Sequence, residues 1–153
     1  MSNVFQGIND AEIFERGKYL EGGFRGRLEC VRTLNKETRQ SGTGFIVEFK
    51  VLESNMPDEH PVGSKCTWFQ SLKNKTVAFP SIKEWAAAMA GYASHDVDGI
   101  EAEVAPHLAD TLMQAVENET DNVFTGCAVR VDTTMIKTRN DRDFTRHVWS
   151  PAS

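Results

Sequence analysis

The residues with the widest chemical reach in this chain are its cations and its flat rings. Two basic polar turns stand between apolar alternating runs. The first, in RTLNKETRQSGTGFIVEFKVL (residues 32–52), places Arg32, Lys36 and Arg39 against one turn acid, Glu37. The second, TMIKTRNDRDFTRHVW, places Lys137, Arg139, Arg142 and Arg146 around Asn140 and Asp141. Cations that track phosphates and rings on which bases stack are what a protein needs to hold a nucleic-acid strand without reading its sequence. Arg27, Arg39, Lys50, Lys73, Arg130 and Arg139 flank the expected face or loops and are the main cation candidates. Arg25, Arg32, Lys36, Lys75, Lys137, Arg142 and Arg146 complete the set. The stacking candidates are Phe69, Phe79 and Trp149. Phe69 is either exposed for stacking or packed under the N-terminal lead-in or a helix. Phe79 reads as a packing residue at a helix entry. Trp149 is either half-exposed near the chain end or caps the core. Phe45, Phe49, Trp68 and Trp85 read as core.

Other chemistries find less support. Cys30, Cys66 and Cys127 are widely spaced and form no CxxC pair, which fits reduced thiols among apolar neighbours. His60, His95, His107 and His147 are scattered, with none at ligand spacing from a cysteine. Glu48, Asp132, Asp141 and Asp143 are carboxylates that a metal-dependent nuclease would recruit, yet turn acids are common for local reasons. The expectation is a protein that is not an enzyme and needs no cofactor and no metal. At 153 residues and 40% hydrophobic content the chain is sized for one domain with one core. No apolar stretch reaches the roughly 20 residues of a membrane span. The polar N-terminus lacks a secretion signal's apolar core. The expected location is the cytoplasm, of the host cell if a phage encodes the chain.

The net charge is −5, but it is unevenly spread. From Glu84 to Val129 there are nine acids and no Lys or Arg. Without those nine, 13 acids face 17 bases, a balance of +4. Charges act locally because salt screens them beyond about 8–10 Å. An acidic segment therefore coexists with a basic surface elsewhere. It is either a solvated helical face, a recruiter of basic partners, or a repellent of duplexes.

Period-two alternation defines the strands. Residues 24–33 alternate Phe24, Leu28 and Cys30 against Arg25, Arg27 and Glu29, with Gly26 marking a bulge or bend. Residues 44–52 alternate Phe45, Val47, Phe49 and Val51 against Glu48 and Lys50. In residues 65–70, Cys66 and Trp68 face away from Thr67 and Phe69. A helix is expected over 82–90, opened by a Ser81–Glu84 capping box and closed by Gly91. A second runs from Pro106 to about Glu117 with an apolar stripe of Leu108, Leu112, Ala115 and Val116. Residues 92–105 are either loop or helix. Strand four starts near Phe124 and strand five spans 144–149. Residues 1–21 read as a loose or weakly helical lead-in, and residues 22–153 as one domain.

Three strands, a helical region and two strands are the element order of an OB-fold, a five-stranded Greek-key barrel. In that fold the second and third strands, with the 1–2 and 4–5 loops, take oligonucleotides or oligosaccharides. The two basic turns occupy those loops. In layout, GGFRGRLECVRTLNKETRQSGTGFIVEFKVLES, KCTWFQSL, FPSIKEWAAAMAG and CAVRVDTTMIKTRNDRDFTRHVW together resemble the OB-fold single-stranded-DNA-binding proteins of bacteriophages. The resemblance implies non-catalytic binding of single-stranded DNA during phage replication or recombination, with replication or recombination proteins as partners and a homodimer as one assembly. Many such proteins end in an acidic partner-binding tail. This chain ends in HVWSPAS and carries its acids internally. The rival reading is an OB-fold interaction module, a phage accessory that binds a host or replication protein.

Overall fold

The computed structural model describes residues 18–38, 42–137 and 143–152. The strands are β1 (Lys18–Tyr19), β2 (Arg25–Thr38), β3 (Gly42–Ser54), β4 (Lys65–Ser71), β5 (Ala128–Lys137) and β6 (Asp143–Pro151). The helices are α1 (Lys75–Met89), the single turn α2 (Val97–Gly99) and α3 (Leu108–Glu117). A π-helical turn (Ile100–Val104) and a 3₁₀ turn (Ala105–His107) join α2 to α3, so the stretch before Pro106 is largely helical.

All six strands form one curled, half-barrel sheet in the order β1-β4-β3-β2-β5-β6. Strands β2, β3 and β4 are consecutive antiparallel neighbours, and β5 returns after the helices to lie beside β2. That is a Greek key, and β6 extends it by a hairpin with β5. The count of five strands is corrected to six, because β1 adds a parallel pair on the outer edge of β4, Lys18 to Cys66 and Tyr19 to Thr67. Among the described residues, β4 and β6 do not pair as strands.

Side chains fill that seam. Trp68 of β4 and Trp149 of β6 meet with ring centroids 4.8 Å apart. Trp85 of α1 packs on Trp68 at 5.8 Å and on Phe124 at 4.6 Å. The core is the inward face of the alternation: Phe24, Leu28, Cys30, Phe45, Val47, Phe49, Val51, Cys66 and Trp68 are all buried. Gly26 follows from close backbone approach, since a Cβ there would lie 2.0 Å from the Glu53 carbonyl oxygen. The register shifts at Arg27/Leu28 and again at Cys30/Arg32, bending β2.

The helix start differs from the expected capping box. α1 begins at Lys75, with Asn74 as its N-cap and Pro80 inside it. Glu84 serves the sheet instead: its carboxylate accepts the Trp149 backbone N–H at 2.7 Å, satisfying a donor on the open edge of β6. The helix ends as expected. Gly91 has φ 93°, and the Tyr92 and Gly91 N–H groups donate to the Ala87 and Ala88 carbonyls, a Schellman closure. In α3, Ala115 is fully buried and Leu108, Leu112 and Val116 pack against the core, as their spacing predicts. Polar groups dock α3 on β2. Thr33 Oγ1 donates to the Ala115 carbonyl at 2.8 Å, and Asn122 Nδ2 donates to Thr33 Oγ1 at 3.0 Å.

Candidate nucleic-acid interface

The outward face of β3 and β4 carries alternate residues that the core does not use. Register sets Ile46 beside Phe69, Glu48 beside Thr67 and Lys50 beside Lys65. Phe69 is therefore on the outer face, opposite Cys66 and Trp68, and is partly exposed. Residues 1–17 of the lead-in lie outside the described residues. The Phe69 ring lies across Gly44, where a Cβ would come within 2.1 Å of Phe69 Cε2. A glycine on the neighbouring strand thus gives the ring a flat seat. Tyr19 pairs beside Thr67 and is 64% exposed, which puts a second ring on the rim of this face.

The cations divide into two groups. Lys50 is exposed on β3, where register sets Glu29 of β2 opposite it. Lys73 is exposed in the turn after β4. Arg27 and Arg130 instead sit side by side in the β2–β5 ladder and share Glu53, at 3.0 and 3.5 Å. Arg25 faces Asp132 at 3.6 Å, and Arg32 is ion-paired to Glu119. Arg39 and Arg139 lie outside the described residues.

Trp149 needs correction as a stacking residue. It is 1% exposed and packs between Phe49 and Trp68, because it falls on the inward side of β6 opposite Val131. Its expected rival use, filling the core, is the observed one. Phe79 also departs from expectation: it stands 53% exposed on α1, with Lys75 Nζ 5.8 Å from its ring centroid.

The two hairpins leave opposite ends of the sheet. β5 pairs only with Arg25–Glu29 of β2 and runs on past that end, whereas the β2–β3 turn lies at the other. Near the β5–β6 tip, Phe144 (43% exposed) pairs with Ile136 (42% exposed). Sequence reasoning missed Phe144, although its parity opposite Trp149 and His147 was available as a signal. It missed Tyr19 too, since a two-residue strand has no period to read.

Burial and the neighbouring Cys127 push the Cys30 thiol up to about 12, and burial alone does the same for Cys66. Neither is a thiolate near neutral pH. Among the described residues no cluster of His, Cys, Asp and Glu is set to hold a metal, and no helix is long and apolar enough to cross a membrane. No known protein-family model matches the sequence, and no curated protein is significantly similar to it.

Proposed function

We propose that this chain is an OB-fold protein of the bacteriophage single-stranded-DNA-binding kind, which binds single strands non-catalytically and with little sequence preference during replication or recombination. The observation that carries the proposal is the outer face of β3 and β4. A partly exposed ring, Phe69, is seated on Gly44 in the same face as exposed Lys50, with Tyr19 at the rim. Bases stack on such rings regardless of identity, and lysines around them neutralise phosphates. The Greek key with a fifth hairpin strand supports the OB reading, with β2 to β6 as its five strands and β1 as an addition. The seam between β4 and β6 makes it a partly open barrel, a form that fold admits.

The test is fluorescence anisotropy of labelled oligo(dT) against a duplex of equal length, at low and physiological salt. Binding that prefers the single strand and weakens steeply with salt supports the proposal. No binding at low salt refutes it.

A further inference from the structure

On the side of the molecule formed by the helices, α1 and α3 leave a groove of about 470 Å³ that reaches the end of β2 and β3. Phe45, Ile82, Leu108 and Leu112 line it. Its lips are Phe79 on α1 and Met113 on α3, 53% and 57% exposed. Two polar residues reach it, Asn35 and Lys83, and Lys83 is ion-paired to Glu101.

We propose that this groove docks an amphipathic helical segment of a partner protein, with apolar side chains entering between α1 and α3 and Lys or Arg on its flanks. The inference stands apart from DNA binding and does not need it. A lining whose one cation is already paired favours apolar groups and penalises unpaired charge. The volume lies within the roughly 300–1,000 Å³ of pockets that enclose a ligand. Large exposed apolar residues on both lips form a patch, and patches of that kind mark interaction sites. Methionine at one lip adapts to varied partner shapes.

The charge around the groove selects the flanks. Asp110 and Glu117 are exposed on α3, which has no Lys or Arg. They belong to the stretch from Glu84 to Val129 that has nine acids and no Lys or Arg. On the α1 side, Lys75 is engaged over Phe79 and Lys83 with Glu101. The charge at the α3 edge is negative, and a basic-flanked helix complements it there, while Lys75 keeps its charge on the opposite lip.

The test titrates the full chain with a labelled synthetic helix carrying Leu at i, i+3, i+4 and i+7 and Lys on both flanks. A second helix has Glu in place of every Lys. Anisotropy reads affinity, and the Met113 methyl resonance reads location. The Lys-flanked helix should shift Met113 and bind about ten-fold more tightly than the Glu-flanked one. Ala109→Trp fills the groove from an exposed position, so it should abolish binding while the thermal midpoint shows the fold intact. Asp110→Lys with Glu117→Lys should reverse the order of the two helices. The proposal is overturned if neither helix moves Met113, if both bind equally, or if Ala109→Trp leaves binding unchanged. It is equally overturned if the groove proves to hold a second copy of the chain, seen as self-association that Ala109→Trp breaks.

Discussion

Lowering the pH should destabilise this protein through one histidine. His147 projects inward from β6, opposite Thr133, with its ring stacked 5.7 Å from Trp149 and 6.2 Å from Trp68. Its Nε2 is buried and has no hydrogen-bond partner. Burial lowers its pKa from 6.5 to about 4, against a smaller opposing effect of a backbone hydrogen bond at Thr145. The unfolded chain takes up this proton near pH 6.5 and the folded chain near pH 4. Between those values the unfolded state holds more protons, so stability falls as pH falls. Above pH 6.5 both states are neutral at this ring and nothing is lost. At about 1.4 kcal/mol per pKa unit, the full loss by pH 4 is about 3 kcal/mol. Roughly 2 kcal/mol of it should fall between pH 7.5 and pH 5, before most carboxylates titrate. Urea unfolding of the wild type and of His147→Phe across this range isolates the effect, because every other titrating group is common to both proteins. The wild type should lose about 2 kcal/mol more than the variant. Parallel stability curves for the two proteins would refute the assignment of a buried, neutral His147.

Phe69→Ala should weaken oligo(dT) binding by about 5- to 150-fold, the equivalent of roughly 1–3 kcal/mol of lost stacking, measured by anisotropy with the fold checked by circular dichroism. Lys50→Ala and Lys73→Ala should each flatten the slope of log affinity against log salt by about 0.7, whereas Arg27→Ala, whose partner is Glu53, should change it less. Glu84→Ala leaves the Trp149 N–H without its acceptor and should cost about 1–3 kcal/mol in urea unfolding. Trp149→Ala should cost about 3–5 kcal/mol by opening the core, with binding lost only in step with folding.

The sheet was legible because period two survives in a sheet with one wet face. Phe45, Val47, Phe49 and Val51 alternate with outward residues, and all four are buried. The same parity put Cys66 and Trp68 inside and Phe69 outside. Elements whose position depends on distant partners were not legible. β1 exists because Lys18 and Tyr19 meet the edge of β4, a contact to residues almost fifty positions away. α1 starts about two turns earlier than the capping signal: Ser81 and Glu84 are correctly spaced for a box, but Glu84 answers to the β6 edge. Trp149 was ambiguous because a ring near the chain end has two uses, and only the open seam between β4 and β6 shows which one the fold requires.

The charge pattern has a structural explanation that also bears on function. Three of the nine acids in the helical segment hold that segment to the sheet and its neighbours: Glu84 on the Trp149 N–H, Glu101 on Lys83 and Glu119 on Arg32. The arginines of the β2–β5 ladder are likewise engaged, since Arg27 and Arg130 converge on Glu53 and Arg25 on Asp132. Fixing charges in pairs leaves Arg25, Arg27 and Arg130 as scaffold, and in the proposed function the lysines of β3 and the β4–α1 turn would be the cations a phosphate meets first. A lysine holds phosphate as a point charge, without the planar fork that fixes one geometry. In the proposed function, a site built from Phe69, Lys50 and Lys73 would tolerate any base and any local bend of the strand. That tolerance is what the proposed binding without sequence preference demands.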